Sequence, residues 1–270
     1  MYDLFNIKDK VIVITGGTGV LCSSMVKYLA AYGAKMAVLA RDKEKGGKLI
    51  DEVKTDGGDA IFLQTNVTDE TLLKQNAEEI IRKYGRIDVL INGAGGNMPG
   101  ATIGPNNTIF DLNIDDFRKV VDVNLMGSVI PTIIFAKYMV ENKQGNIINI
   151  SSESALRPLT RVAGYGAAKA AVSNFTKYMA GEMAIKFGEN FRVNAMAPGF
   201  FITEQNRSLL TNPDGSYSDR GKSIIAHTPF RRFGVPEDLL GTLHYLVSDA
   251  SKFVTGTVAV VDGGFDAFSI

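Results

Sequence analysis

The sequence predicts an α/β fold in which a parallel sheet of about seven strands is wound on both faces by helices. Three observations point to it. Short apolar runs recur along the chain, longer segments with helical periodicity separate them, and the first run, Val11–Ile14, enters a glycine turn, "TGGTG", before a helical stretch. Parallel neighbours require crossover connections, so alternation of this kind implies one parallel sheet.

Taken in order, the runs after the first are "KMAVLA", "AIFLQTNV", "IDVLING", "GNIINISS", "FRVNAMAPG" and "VAVVDGG". Ligands on such sheets bind beyond the carboxyl ends of the strands, where the winding reverses. Gly16 to Gly19, Asn92 to Gly96, Ser151 and Ser152, and Pro198 to Thr203 all fall at predicted strand ends and should converge on one crevice. Residues 203–232 form a polar excursion with Asn, Pro, Asp and Gly at its centre. It is expected to be a substrate lid within a single domain spanning 1–270, an ordinary surface insertion being the alternative. The stretch "FRKVVDVNLMGSVIPTIIFAKYMV" reads as a helix apolar on more than one face, which calls for burial on both sides and hence a partner subunit.

The chain has 270 residues, 45% of them apolar, enough for one large core. Its 29 basic and 29 acidic residues cancel and are scattered, so there is no electrostatic footprint for nucleic acid, and a small-molecule substrate is expected. A single cysteine, Cys22, excludes an internal disulfide, and with only His227 and His244 as histidines no metal site is expected. These features suit a reducing cytoplasm. The N-terminus "MYDLFNIKDK" lacks a signal peptide's apolar core, and no apolar stretch reads as approaching membrane-spanning length, so a cytoplasmic protein without membrane association is expected.

The glycine turn is a candidate phosphate site, because backbone N–H groups at a helix start face an anion there. In the G-x-G-x-x-G register Gly17 and Gly19 match, but Cys22 occupies the third position, where a glycine allows close helix–strand packing. Alone the signal is weak, since strand–turn–helix units occur in many proteins that bind no nucleotide.

The chemistry is carried by "NISSESALRPLTRVAGYGAAKAA". Tyr165 and Lys169 stand four apart in a predicted helix and share a face. A nearby ammonium stabilises phenolate and brings the phenol's pKa toward neutrality, allowing Tyr165 to exchange a proton with a reacting oxygen. Ser152, at a strand end, is placed to donate a hydrogen bond to that oxygen as charge develops. Tyr and Lys at this spacing also occur on ordinary helix surfaces; the serine at a strand end is what favours the functional reading.

These residues resemble the short-chain dehydrogenase/reductase family over nearly the whole chain. The Tyr-x-x-x-Lys is "YGAAK", the serine is Ser152, thirteen positions earlier, and the Asn-Ala-Gly segment appears as "NGAG", Asn92, Gly93, Ala94 and Gly95. The resemblance implies a single-domain Rossmann-type doubly wound sheet and a nicotinamide cofactor. It implies catalytic roles for Asn124, Ser152, Tyr165 and Lys169, with Asn124 interrupting a helix to hold a water that relays protons toward the lysine. It also implies that Tyr165 and Lys169 touch the cofactor. In the family's Thr-Gly-x-x-x-Gly-x-Gly pattern Thr15 and Gly16 match, while Val20 and Cys22 stand where glycines are usual. Gly19 is then expected to supply the backbone freedom lost at Val20, and Thr18, Gly19, Val20 and Leu21 to contact phosphate. Asn66 and Val67 match the family's Asp-Val pair at the adenine, and "RVNAMAPGFFIT", with Pro198, Gly199, Phe201 and Thr203, the segment that holds the carboxamide. Such enzymes are commonly homodimers or homotetramers.

NAD-selective enzymes end the second strand with an acidic residue at the ribose, whereas NADP requires a cation. Ala40 and Arg41 occupy that region, which favours NADP(H) over NAD(H), unless Arg41 merely stacks on adenine or points to solvent. Within the family, "GGTGVLCSSM", "NGAGGN", "APGFFITEQNR", "HTPFRRFGVPEDL" and "VDGGFDAFSI" are most similar to the bacterial D-mannonate oxidoreductase branch. That implies a sugar acid, D-fructuronate/D-mannonate first, with another keto sugar acid such as 5-ketogluconate, or an uncharged ketone, as alternatives. A non-catalytic dinucleotide sensor would retain the fold but lack the tyrosine or lysine. A carboxylate calls for a cation, and Arg157, Arg161, Arg207 and His227 are candidates, with Arg207 first, while Asn97 is a candidate for substrate hydroxyls.

Overall fold

The computed structural model describes residues 3–203 and 206–268. Seven parallel strands, β1 (Val11–Thr15), β2 (Lys35–Ala40), β3 (Asp59–Gln64), β4 (Val89–Asn92), β5 (Gly145–Ile150), β6 (Phe191–Pro198) and β7 (Val258–Val261), form one sheet in the order β3-β2-β1-β4-β5-β6-β7. Every neighbouring pair is parallel. The order reverses between β1 and β4, so the loops after these two strands diverge and open a crevice.

The crossovers are α1 (Val20–Ala31), α2 (Lys43–Thr55), α3 (Glu70–Tyr84), the consecutive segments α4 (Ile114–Val121) and α5 (Gly127–Glu141), and α6 (Ala163–Phe187). Beyond β6 come α7 (Arg207–Leu210), α8 (Asp219–His227) and α9 (Leu240–Val247). Successive strand side chains point to opposite faces, and the core divides accordingly. Ile12, Ile14, Met36 and Val38 pack with Met25 and Leu29 of α1, Ile50 of α2 and Leu243 of α9. Val11, Val13 and Leu39 pack with Leu73 and Ile80 of α3, Phe135 and Met139 of α5, and Met183 of α6.

Between α4 and α5 the helix passes through a π-type turn, Asp122–Met126. The whole stretch Ile114–Glu141 is long and apolar enough to cross a bilayer by length and composition, which corrects the sequence reading that no stretch approaches that length. Half of its most apolar window is buried within the fold, because a central crossover helix must be apolar wherever it meets the sheet.

The excursion at 203–232 carries α7 and α8 and an antiparallel bridge between Thr211 and Tyr217, and its Leu210 and Ile224 cluster with Phe233 just beyond it. Glu204 and Gln205, within that stretch, lie outside the described residues.

Candidate active site

The glycine turn follows β1 directly. Gly16 lies in the left-handed region at φ +66°, and a Cβ there would meet the Ala94 backbone at 2.8 Å, so conformation and space both demand glycine. Gly19 has an ordinary extended conformation, φ −71° and ψ 156°, as N-cap of α1. The backbone freedom expected of Gly19 is therefore located at Gly16, which must pass beneath the loop after β4. The Ser23 N–H donates to the Gly19 carbonyl at 2.8 Å and begins the helix. The N–H groups of Val20, Leu21 and Cys22 have no intrahelical acceptor, as at any helix start, and with Thr18 half-buried beside them they form a cradle suited to phosphate.

Cys22 lies under the loop after β4, its Sγ 3.8 Å from the Gly93 carbonyl. Burial pushes its thiol up to about 12, so it remains neutral and is no nucleophile. A Cβ on Gly93 would meet that sulfur at 2.5 Å. The Thr15 hydroxyl accepts from the N–H groups of Gly93 and Ala94, both at 3.2 Å, which pins the loop to β1.

Asn92 ends β4 inside the sheet rather than in the crevice. Its Nδ2 donates to Thr132 Oγ1 at 2.9 Å and Asn149 Oδ1 at 2.8 Å, while its buried Oδ1 has no partner. The side chain thus belongs to a buried polar ladder that joins β4 to β5 and α5. Gly95 does face the site: a Cβ there would meet Asn124 Oδ1 at 2.6 Å and Lys169 Nζ at 3.3 Å.

Asn124 sits in the π-type turn, fully buried. Its Nδ2 donates to the carbonyls of Gly96 and Val120 at 2.7 and 2.8 Å, and its Oδ1 accepts the Gly96 N–H at 3.2 Å. Its own carbonyl accepts the Ser128 hydroxyl at 3.1 Å. Asn124 therefore clamps the loop after β4 to the interrupted helix.

Lys169 is 3% exposed, and its Nζ donates to the Ile150 carbonyl at 2.8 Å, while the Ser151 hydroxyl bonds the Lys169 carbonyl at 3.2 Å. The end of β5 thus fixes both ends of the lysine. Burial lowers its ammonium to about 8, leaving it mostly charged at neutral pH. The Nζ stands 5.7 Å from the centroid of the Tyr165 ring. Burial raises the Tyr165 phenol, and a hydrogen bond with Ser152 pulls it back. Burial outweighs any lowering from Lys169, whose ammonium is committed to the Ile150 carbonyl. The Ser152 oxygen accepts from the N–H and hydroxyl of Ser154 at 3.2 and 3.0 Å, which leaves its own proton to donate toward the phenol.

At the end of β2, Ala40 is buried and Arg41 exposed, its carbonyl held by Gln64 Nε2 at 3.0 Å. The nearby Asp42 caps α2 by accepting from the N–H groups of Glu44 and Lys45, so its carboxylate serves the helix. Asn66 turns its Oδ1 onto Thr68, and Val67 is buried against Gly127. After β6, the Gly199 N–H bonds the Val261 carbonyl at 2.9 Å and a Cβ there would meet Asp262 at 2.6 Å, so Pro198–Gly199 closes tightly on β7. Phe201 is buried and bridges to Gly234, and the Thr203 N–H bonds Asn206 Oδ1 at 2.8 Å.

The candidate substrate residues separate. Asn97 is held within its own loop, donating to Thr102 Oγ1 and accepting from the Met98 N–H, both at 2.9 Å. Arg157 pairs with Asp266 at 2.7 Å, and His227, exposed, bonds the Ser223 carbonyl at 2.8 Å through Nδ1. Tail and helix partners thus occupy two of the expected carboxylate-binding groups. Arg207 is exposed on α7, and Arg161 is half-buried beside the start of α6. Sequence reasoning missed Glu153, 1% exposed next to Ser152 with neither carboxyl oxygen partnered. Its only signal was adjacency to the serine. Sequence reasoning also passed over Arg220, which bonds the Thr160 hydroxyl and carbonyl at 2.8 and 3.2 Å.

Left-handed Gly16, the first N–H groups of α1, and Gly95 beside Lys169 lie at the ends of β1, β4 and β5, along one edge of the sheet. The short chain dehydrogenase family model matches residues 10–214. The uncharacterized oxidoreductase UxuB of Bacillus subtilis is 44% identical, over 98% of this chain and 97% of that protein. A crystal structure from Haemophilus influenza with bound NAD, provisionally named a D-mannonate oxidoreductase, superposes with a TM-score of 0.91 at 42% identity, covering 98% of this chain and 97% of that one. A gluconate 5-dehydrogenase from Burkholderia cenocepacia, in complex with NADP and tartrate, gives a TM-score of 0.88 at 29% identity, covering 99% of both chains. With Asn124, Ser152, Tyr165 and Lys169 brought around one crevice of a seven-stranded parallel sheet, the chain belongs to the short-chain dehydrogenase family of nicotinamide-dependent oxidoreductases.

Proposed function

We propose that the protein interconverts a keto sugar acid and its alcohol, with D-fructuronate and D-mannonate as the pair. The observation that carries the reaction class is the convergence of Ser152, Tyr165 and Lys169 at the end of β5 and the start of α6. The sugar-acid reading is supported by the neighbours named for mannonate and gluconate chemistry.

When bound, the nicotinamide supplies or accepts the hydride. Ser152 donates a hydrogen bond to the substrate oxygen and orients it. Tyr165 gives that oxygen a proton during reduction and takes it back during oxidation, a contribution of about a hundredfold or more. Lys169 stabilises the phenolate this leaves and, anchored by the Ile150 carbonyl, keeps its charge close to the ring. Asn124 holds the Gly95–Gly96 loop in place against the lysine.

For the cofactor, exposed Arg41 at the end of β2 favours NADP(H), and the committed carboxylate of Asp42 agrees with this. The competing reading, NAD(H), is favoured by the NAD in the Haemophilus neighbour. A reduced, buried Cys22 suits a cytoplasmic enzyme. The test is cofactor oxidation with a panel of D-fructuronate, 5-keto-D-gluconate and uncharged ketoses. Preference for D-fructuronate is expected; preference for 5-ketogluconate would reassign the substrate within the class, and preference for a ketose would overturn the sugar-acid reading.

A further inference from the structure

Arg86, Arg118, Arg157 and Arg232 each rest on a carboxylate. Arg161 and Arg220, among the described residues, do not, and they have been brought together. Arg220, in the first turn of α8, reaches across to the loop between Ser152 and Tyr165, where its Nη1 and Nη2 donate to the hydroxyl and carbonyl of Thr160. The next residue is Arg161. Burial and the charge of Arg161 both hold the Arg220 guanidinium below its ordinary pKa, which places the two cations within mutual electrostatic range.

Two further features share the location. Arg161 has φ +76°, a left-handed conformation that side-chain-bearing residues rarely adopt, and its carbonyl is pinned by the Ile103 N–H at 3.0 Å. The loop thereby joins the segment after β4 to α8. The start of α6 immediately beyond it has no capping side chain and no acidic residue in its first turn, although α6 is 25 residues long. Its first N–H groups and its dipole present positive potential to the same space. Tyr165 is the third residue of that helix, four positions along the chain from Arg161.

Two guanidinium groups without a carboxylate partner, a backbone-strained residue that carries one of them, and an uncapped helix start are together complementary to one bidentate anion. We propose that Arg161 and Arg220 form a clamp for the carboxylate of the substrate, α8 contributing one arm and the Tyr165 loop the other. The clamp deepens the sugar-acid reading above and rests on it. It replaces Arg207, which lies exposed on α7, as the carboxylate partner.

The test uses the cofactor-saturated enzyme and two probes that differ only at the charged end, D-gluconate and D-glucitol, followed by titration calorimetry. Arg161→Gln and Arg220→Gln are each expected to weaken gluconate at least tenfold, about 1.4 kcal/mol, with less than a twofold change for glucitol. Arg220→Lys should recover part of the loss. Unchanged cofactor affinity in each variant establishes that the fold and dinucleotide site are intact. Gluconate affinity unmoved by both substitutions, or gluconate and glucitol weakened alike, would overturn the clamp. If the wild type reduces only uncharged ketones yet loses gluconate affinity in both variants, the clamp stands and the assigned reaction fails. If keto sugar acids are turned over normally by both variants, the reaction stands and the clamp fails.

Discussion

Cys22 and Gly93 have exchanged bulk across the cofactor loop: the sulfur lies 3.8 Å from the Gly93 carbonyl and fills the space a side chain at 93 would need. Small residues are required where α1 passes beneath the loop, and here the larger member of the pair is on the helix. Gly93→Ala should therefore destabilise the protein by about 1–3 kcal/mol, the usual cost of overpacking. Cys22→Gly in that background should restore only part of this, because the new methyl also meets the Thr15 carbonyl at 2.9 Å. Urea unfolding of the single and double variants measures the coupling, and additive effects would show that the two positions are independent.

Tyr165→Phe deletes the proton donor and retains the ring beneath Lys169. Turnover should fall about a hundredfold or more while cofactor affinity changes little. Lys169→Ala should reduce both, since its ammonium lies beside Gly95 in the cradle. In the reducing direction the rate should decline as pH rises through about 8, where Lys169 loses its proton. Single-turnover kinetics with a keto sugar acid and cofactor titrations separate these effects.

How far the sequence was legible depends on the range of the interaction concerned. "KMAVLA" coincides with β2 residue for residue, because a buried parallel strand is an uninterrupted apolar run, and parallel order then places the loops after β1, β4, β5 and β6 on one edge. The π-type turn at Asn124 was legible only through family resemblance, since a change of hydrogen-bond register leaves apolar periodicity almost intact. Gly16 and Gly19 could not be told apart, because the left-handed conformation is imposed by Ala94, in a loop distant in sequence. Arg157 looked free until Asp266, 109 residues away, was found on it. Charge pairing between distant segments has no local signature, which is also why Arg220 was overlooked.

Arg41 stands exposed at the end of β2 while Asp42 is occupied as a helix cap. If it meets a 2′-phosphate, Arg41→Ala should raise KM for NADP(H) at least tenfold and alter that for NAD(H) by less than threefold, as expected for loss of one charge-assisted contact. Steady-state kinetics with both cofactors decide the matter. A wild type that already prefers NAD(H) would assign the cofactor the other way.

Large apolar side chains remain exposed along the two helices that run side by side on one face of the sheet: Ile133 of α5 at 52%, and Tyr178 and Ile185 of α6 at 64% and 81%. Burying them between copies of the chain would account for helices that are apolar on more than one face. A homodimer or homotetramer is expected by light scattering at micromolar concentration, and Ile185→Glu should shift it toward monomer. A monomeric wild type would contradict the expectation.

Glu153 is a buried carboxyl without a hydrogen-bond partner, one residue from Ser152. Burial is the main cause of its elevated pKa, with Asp266 and Asp262 adding repulsion and Arg157 opposing it, and together they move it from 4.5 to about 7. The folded state therefore binds this proton more tightly than the unfolded chain. Its contribution to stability is fully present below pH 4.5 and is lost as pH rises through about 7, a change of about 3 kcal/mol over that window. Glu153→Gln keeps the shape and removes the titration. The variant should match the wild type near pH 5 and exceed it in urea resistance at pH 8, with the difference growing mainly between these values. An equal difference at both pH values would mean that Glu153 is not held protonated, and that its carboxylate is solvated or paired in solution.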